Sequence, residues 1–126
     1  MFSRVTDLTV MIVDDVSVMR GLLRRILEAN GYQVIAEAAD GVEAVAKYTD
    51  LRPEITIMDV CLPNKNGIDA TKDIVLLNGD AKVVMFSALD RDALVRAAQE
   101  AGASDFICKP CNIDQLKDTL HKVMHS

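Results

Sequence analysis

The sequence contains 126 residues, of which 50% are hydrophobic, and its 14 basic and 19 acidic residues give a formal net charge of −5. A chain of this length forms one domain that removes roughly two-thirds of its unfolded surface from water, so the core needs neither disulfides nor a structural metal. The acidic balance and the absence of a basic stripe argue against a nucleic-acid-binding surface.

The N-terminal residues and the cysteine count indicate a cellular compartment. The first nine residues include Arg4 and Asp7 and contain no long apolar run, which argues against a signal peptide or a membrane span. Three cysteines, an odd number, are not typical of a disulfide framework. We therefore expect one domain over residues 1–126, cytoplasmic, monomeric and without membrane or nucleic-acid partners.

Five short apolar runs alternate with amphipathic stretches along the chain. The runs predict strands at 10–13, 34–36, 55–58, 83–86 and 106–108. Several runs are apolar at every position, which is typical of strands buried on both faces of a parallel sheet. The amphipathic stretches predict one helix from Ser17 to Asn30-Gly31 and others at about 42–51, 68–78, 91–101 and 113–124, with Ser17, Asp40, Asp90 and Asn112 as N-caps.

This alternation of strands and helices predicts the fold class. Parallel neighbouring strands need right-handed crossover connections, and here each connection contains a helix. The sequence therefore predicts an α/β domain of the (βα)5 type, in which helices cover both faces of a parallel sheet.

Polar side chains follow four of the predicted strands at the point where each run ends. Asp14 and Asp15 follow the first run and Asp59 follows the third. Ser87 ends the fourth run and Lys109 follows the fifth. Because the carboxyl ends of parallel strands meet at the same edge of a sheet, we expect these side chains to converge.

Three carboxylates at one edge need a cation, because like charges this close raise one another's pKa values. Carboxylate, carbonyl and water oxygens are the ligands that Mg²⁺ prefers, and the charges of three Asp, one Lys and Mg²⁺ sum to zero. An ionised aspartate acts as a nucleophile without a base, while a metal ion and a lysine neutralise the oxygens of a transferred phosphoryl group. The edge is therefore predicted to be a phosphoryl-transfer site.

The motifs resemble those of the receiver domains of two-component response regulators, most closely the single-domain chemotaxis regulators. The matching motifs are Val13-Asp14-Asp15, Asp40-Gly41, Met58-Asp59, Leu62-Pro63, Asn66-Gly67, Phe86-Ser87-Ala88, Ala101-Gly102-Ala103 and Phe106-Ile107-Cys108-Lys109-Pro110. The resemblance implies a flavodoxin-like three-layer sandwich whose five-stranded parallel sheet has the order 2-1-3-4-5.

The resemblance also implies a role for each residue of the site. Asp59 would accept a phosphoryl group from a sensor histidine kinase. Asp15, Asp59 and the backbone carbonyl of Cys61 would hold Mg²⁺ directly, and Asp14 would act through water. Lys109 would bind the phosphoryl oxygens. The protein would then be a phosphoacceptor that assists its own phosphorylation and dephosphorylation, and not a dedicated enzyme.

A switch follows from the same resemblance. Ser87 would move to hydrogen-bond the phosphoryl group, and Phe106 would turn inward with it. This movement would reshape a protein-binding face made by the fourth helix, the fifth strand and the fifth helix. The implied partners are a downstream protein, such as a flagellar motor switch, and a phosphatase. The Lys109-Pro110 peptide bond would be cis.

The sequence leaves alternatives open. A phosphorelay intermediate, which passes its phosphoryl group to a histidine phosphotransfer protein, would use the same site.

The segment 108–111 reads Cys-Lys-Pro-Cys at a strand-to-helix junction, where a lowered thiol pKa would support redox chemistry. A phosphatase of the haloacid-dehalogenase type is disfavoured because Cys61 occupies the position of that family's second Asp. His121 and His125 have the spacing of a two-His metal face, without a third ligand nearby.

Overall fold

A computed structural model describes residues 8–89 and 91–125. Strands and helices alternate throughout these residues. The strands are β1 (Thr9–Val13), β2 (Gln33–Ala38), β3 (Ile55–Met58), β4 (Val83–Ser87) and β5 (Asp105–Cys108). The helices are α1 (Ser17–Ala29), α2 (Gly41–Leu51), α3 (Gly67–Leu77), α4 (Asp92–Ala101) and α5 (Ile113–Met124). Each predicted strand and helix is therefore present close to its predicted bounds.

The strands form one parallel sheet of order β2-β1-β3-β4-β5. This arrangement confirms the flavodoxin-like strand order. Hydrogen bonds continue past the ends of β1 and β3: the Asp14 N–H donates to the Ala38 carbonyl at 3.1 Å, and the Asp59 N–H donates to the Val13 carbonyl at 2.9 Å. The two aspartates are therefore held in register at the carboxyl edge of the sheet.

Two apolar clusters cover the two faces of the sheet, because alternate strand residues point to opposite sides. One cluster packs Val10 and Ile12 of β1 against α1 and α5, for example against Leu27 and Leu120. The other cluster packs Met11 and Val13 against α2, α3 and α4. The molecule is thus the predicted three-layer sandwich. No helix within the described ranges is long and apolar enough to cross a membrane.

The prediction that Ser17 caps α1 is wrong by one position. Ser17 is the first helical residue, and the residue at the N-cap, Val16, offers no side-chain hydrogen bond. The Oδ1 atom of Asp14 instead accepts a hydrogen bond from the Val16 N–H at 2.9 Å. An aspartate readily captures the N–H two residues ahead, so this carboxylate fixes the entry to α1.

The other helix starts agree better with the sequence pattern. Asp40 and Asn112 accept hydrogen bonds from backbone N–H groups in the first turns of α2 and α5, which confirms both as N-caps. Asn66 caps α3 in the same way. The predicted cap Asp90 lies outside the described residues. Gly102 ends α4 with a left-handed φ of 104°, a conformation that favours glycine.

Candidate functional site

Three carboxylates meet at the carboxyl edge of the sheet. Asp14 and Asp15 follow β1, and Asp59 follows the neighbouring strand β3. Each side chain offers an oxygen, and these oxygens lie within 4.8 Å of one another. We call these three residues the acidic cluster. The convergence predicted from the sequence is confirmed for these residues.

Lys109 reaches the acidic cluster from the end of β5. Its Nζ atom lies 2.9 Å from Asp14 Oδ2 and 3.4 Å from Asp59 Oδ2. The Lys109 backbone N–H donates to the Ser87 carbonyl at 2.8 Å, which ties the lysine to the end of β4. The Lys109–Pro110 peptide bond is cis, as the resemblance implies. The charge of Lys109 therefore lies against two of the three carboxylates.

Burial and charge act against each other in this site. Burial raises the pKa of Asp59, and the charge of Lys109 only partly offsets that effect, while the Asp14 charge raises the pKa further. Burial lowers the pKa of Lys109, but the hydrogen bond to Asp14 and the charge of Asp59 outweigh it and leave the pKa raised. The lysine therefore stays protonated, and the excess of negative charge remains available to a cation.

The loop between β3 and α3 is shaped by two glycines that admit no side chain. A Cβ atom on Gly67 would lie 1.9 Å from the Asp59 carbonyl oxygen, and one on Gly41 would lie 2.1 Å from the Lys65 carbonyl oxygen. Asn64 adopts a left-handed φ of 68°, and its amide donates to Asp40 Oδ2 at 2.7 Å. These contacts seat the loop against α2 and fix the backbone at Asp59.

Three further predicted site residues lie on β4, on β5 and after β3: Ser87, Phe106 and Cys61. The Ser87 hydroxyl is buried and accepts a hydrogen bond from the Leu89 N–H at 3.2 Å. Among the described residues, the Ser87 hydroxyl makes no hydrogen bond to the acidic cluster. Phe106 is half-buried beside a cavity of about 470 Å³ bounded by α4, β5 and α5. Cys61 is exposed, and a hydrogen bond from its backbone N–H partly offsets the rise in the pKa of Asp59.

The Cys-Lys-Pro-Cys segment has the properties of a packed strand end. Cys108 and Cys111 are both partly buried, and Cys111 packs against the cluster between the sheet and the α1 and α5 layer. Burial raises the pKa of the Cys111 thiol, whereas redox chemistry of this type depends on a lowered pKa. These observations favour packing over redox chemistry for the segment.

Sequence reasoning did not identify Arg20 of α1 as part of the site. The Arg20 side chain is only 18% exposed, and it donates both to the Asp14 backbone carbonyl and to Glu37 on β2. The sequence contains one signal for this contact, the acidic residue Glu37 directly after the second predicted strand. Periodicity shows which face of a helix a residue occupies, but it does not show what that face meets.

The donor set of the acidic cluster fits Mg²⁺. The available ligands are hard carboxylate oxygens, and Asp15 is exposed, which leaves room for the several waters that Mg²⁺ keeps. Within residues 8–89 and 91–125, the acidic cluster is also the only group of three or more His, Cys, Asp or Glu side chains placed closely enough to share a metal ion. A magnesium site is therefore consistent with the geometry.

Comparison with protein families assigns this arrangement to a known group. Residues 10–121 match the response regulator receiver domain. The chain belongs to this family. Chemotaxis protein CheY from Thermotoga maritima is 45% identical over 114 residues, which are 90% of this chain and 95% of that protein. Chemotaxis protein CheY from Bacillus subtilis is 38% identical over 116 residues, which are 92% of this chain and 97% of that protein.

Solved structures agree with the assignment of this chain to the receiver-domain family. A chain of the CheX–CheY–BeF3–Mg²⁺ complex from Borrelia burgdorferi has a TM-score of 0.89 and 33% identity, covering 92% of this chain and 88% of that chain. A LuxR-family response regulator from Aurantimonas has a TM-score of 0.91 and 35% identity, covering 95% of this chain and 86% of that chain. The protein is thus a CheY-like receiver domain of two-component signalling, as its motifs predict.

Proposed function

We propose that this receiver accepts a phosphoryl group on Asp59 from a sensor histidine kinase and that this step requires Mg²⁺. The observation that carries the proposal is the meeting of the acidic cluster with Lys109 at one edge of the sheet. Receiver domains bind Mg²⁺ at an acidic pocket of this kind. The Borrelia burgdorferi complex is described with both BeF3 and Mg²⁺.

The chemistry of transfer follows from the residues at the edge. A carboxylate oxygen of Asp59 forms a bond to phosphorus while the phosphorus–nitrogen bond of a phosphohistidine breaks, and the imidazole leaves with the electron pair. Lys109 neutralises charge on the transferred oxygens. When bound by Asp15, Asp59 and the Cys61 carbonyl, with Asp14 acting through water, Mg²⁺ supplies the remaining positive charge. The protein is then a phosphoacceptor and not a dedicated enzyme.

The switch that follows transfer uses Ser87 and Phe106. Movement of the Ser87 hydroxyl toward the phosphoryl group exchanges its present bond to the Leu89 N–H for a bond to phosphate oxygen. The cavity between α4, β5 and α5 gives the Phe106 ring space to turn inward. This movement changes the face formed by α4, β5 and α5, which we call the output face. A downstream protein binds there.

Chemotaxis is the pathway that the relatives favour. Both of the curated relatives described above are named as chemotaxis proteins. A flagellar motor switch is accordingly the downstream target that we propose, and a separate phosphatase resets the signal. A phosphorelay intermediate would present the same acidic cluster, so the partner that binds the phosphorylated form decides between the two pathways.

The phosphoacceptor is tested with acetyl phosphate and MgCl2 by mass spectrometry of the intact protein and its peptides. The wild type is expected to gain one phosphoryl group, and Asp59→Asn is expected to gain none because the nucleophilic oxygen is replaced. Asp50→Asn is the matched control, since Asp50 is an exposed aspartate on α2, and it should be labelled like the wild type. Persistent Mg²⁺-dependent labelling of Asp59→Asn would overturn the assignment.

A further inference from the structure

The Arg20 side chain joins three elements beside the acidic cluster. From α1, its guanidinium donates to the Asp14 backbone carbonyl at 2.7 Å and to Glu37 Oε1 at 3.1 Å. Glu37 belongs to β2, and the Asp14 carbonyl belongs to the loop between β1 and α1. Two donors of one planar group thus fix the loop relative to the sheet, a geometry that a guanidinium provides and an ammonium does not.

Asp14 is held at every polar atom that it has. Its backbone N–H donates to the Ala38 carbonyl, and its two carboxylate oxygens accept from the Val16 N–H and from Lys109. Arg20 holds the remaining polar atom, the backbone carbonyl oxygen. Four hydrogen bonds therefore fix the position of Asp14 at the end of β1.

Asp15 is fixed only through its backbone. The side chain of Asp15 is exposed, and no hydrogen bond or ion pair to it is found among the described residues. The Asp14 carbonyl is part of the peptide plane that leads into Asp15. The orientation of that plane, together with the φ angle of Asp15, sets the direction of the Asp15 Cα–Cβ bond, so the group that holds the carbonyl restricts where the Asp15 carboxylate can point.

We propose that Arg20 is a positioning residue for the cation site: by fixing the Asp14–Asp15 peptide plane, it directs the Asp15 carboxylate toward the metal ion. This inference rests on the proposed function, because it concerns the same Mg²⁺ site. Arg20 touches neither the metal ion nor the phosphoryl group and acts through the backbone. Groups that orient a metal ligand typically change metal affinity by about 10-fold or more when they are removed.

The positioning role and a simple charge effect predict opposite results. Arg20 is a cation beside the acidic cluster, so its charge repels Mg²⁺, and neutralising it would tighten Mg²⁺ binding by Coulomb's law alone. A positioning residue has the reverse effect, since its loss lets the peptide plane rotate and weakens binding. The direction of the change in Mg²⁺ affinity therefore identifies the role.

Arg24 provides a matched control on the same helix. Its Nε atom donates to the other oxygen of Glu37 at 2.6 Å, so it also joins α1 to β2. It makes no hydrogen bond to Asp14 within the part of the chain that the structure describes; its other partners are Glu28 and the Val34 carbonyl. Removal of Arg24 thus loosens the same pair of elements without releasing the Asp14–Asp15 peptide.

The test is calorimetric titration of the unphosphorylated full chain with MgCl2 at constant ionic strength. Arg20→Gln and Arg20→Lys are expected to bind Mg²⁺ about 10-fold more weakly than the wild type, and Arg24→Gln within about 2-fold of it. Urea denaturation should show similar losses of stability in Arg20→Gln and Arg24→Gln. Labelling by acetyl phosphate should need more Mg²⁺ for half-saturation in Arg20→Lys but approach the wild-type rate at saturating Mg²⁺.

Three results would overturn the inference. Unchanged or tighter Mg²⁺ binding by both Arg20 variants would leave only a charge or structural role. An equal loss in Arg24→Gln would indicate general loosening between α1 and β2. Absence of Mg²⁺ binding by the wild type would overturn the proposed function itself, a failure that the same titration separates from the first two. Arg20→Lys keeps the charge, so the test stands even where Arg20→Gln fails to fold.

Discussion

At Gly67 the backbone passes so close to Asp59, the proposed phosphoacceptor, that no side chain fits between them. A Cβ atom there would lie 1.9 Å from the Asp59 carbonyl oxygen, which is backbone and cannot rotate away. The Gly67 N–H also donates to the Val60 carbonyl at 2.8 Å, which closes the loop that follows β3. The Asn66-Gly67 motif therefore has a steric cause: the loop must touch the strand end that carries Asp59.

We expect Gly67→Ala to lower the free energy of unfolding by about 1–3 kcal/mol, as overpacking does, and to slow labelling of Asp59 because its backbone is displaced. Gly21→Ala is the control, since an added Cβ in that position of α1 meets no atom within 4 Å. The control should raise stability by roughly 0.5–1 kcal/mol through helix propensity. Urea denaturation measures both; wild-type stability and labelling in Gly67→Ala would contradict the steric argument.

Among the elements, α1 and β2 are joined by charge. Glu37 of β2 accepts hydrogen bonds from Arg24 and Arg20 of α1, at 2.6 Å and 3.1 Å. The hydrogen bond from Arg24 is the main cause that holds the pKa of Glu37 below its usual value, against the opposing effect of burial. The folded protein therefore binds a proton at this carboxyl less readily than the unfolded chain does.

This difference makes the contribution of Glu37 depend on pH. A carboxyl group whose pKa is lowered by folding stabilises the fold above its unfolded pKa of ~4.3 and loses that contribution as the pH falls through the folded pKa. The wild type should exceed Glu37→Gln in stability by on the order of 1 kcal/mol near neutral pH. That margin should shrink steadily toward pH ~3. Urea denaturation across this range measures it, and a margin independent of pH would contradict the ion-pair account.

On the output face, Phe106 of β5 stands between a core cluster and a cavity. The ring packs partly against the cluster beneath α2, α3 and α4 and lines the cavity between α4, β5 and α5. Complete burial of such a ring contributes at most about 1.5–3 kcal/mol. That is comparable to the few kcal/mol that separate two populated conformations, so one ring can bias the state of the face.

We therefore expect Phe106→Ala to keep labelling at Asp59 but to weaken the response of the output face. The readout is hydrogen exchange of α4 and α5 with and without beryllofluoride and Mg²⁺. The wild type should change its exchange on activation, and Phe106→Ala should change less. Leu76→Ala, a truncation of an apolar side chain on α3 that is 81% exposed, should respond like the wild type. Equal loss of labelling and response in Phe106→Ala would instead indicate a damaged fold.

At the scale of the whole molecule, the sequence predicts what depends on periodicity and topology. The meeting of Asp14, Asp59 and Lys109 follows because parallel strands share one carboxyl edge, and the strand order 2-1-3-4-5 follows from the family resemblance. The sequence does not predict contacts between backbone and side-chain atoms of residues that are far apart along the chain. The Asn66-Gly67 motif can be recognised in the sequence, but the contact between Gly67 and the Asp59 carbonyl is visible only in the folded structure. The sequence pattern places Arg20 on the face of α1 opposite the apolar residues. Only the fold shows that this side chain lies against Glu37 of β2.

The acidic cluster exists only in the folded chain, so Mg²⁺ bound there would stabilise the fold. Asp15 and Asp59 are 59 − 15 = 44 residues apart in sequence, so the unfolded chain does not present them together. A ligand that binds the folded state alone raises the free energy of unfolding by an amount set by its concentration and dissociation constant. At ten times that constant, the increase for Mg²⁺ is about 1.4 kcal/mol.

Urea denaturation at constant ionic strength, with Mg²⁺ and then with excess EDTA, measures this increase and its reversal. Asp15→Asn should reduce it, because the variant removes an exposed carboxylate of the cluster, whereas Asp50→Asn on α2 should retain it in full. An equal increase in Asp15→Asn would mean that Mg²⁺ stabilises the protein from another place on its acidic surface. Since the measurement involves no phosphodonor, it tests the metal site separately from the transfer that the site is proposed to serve.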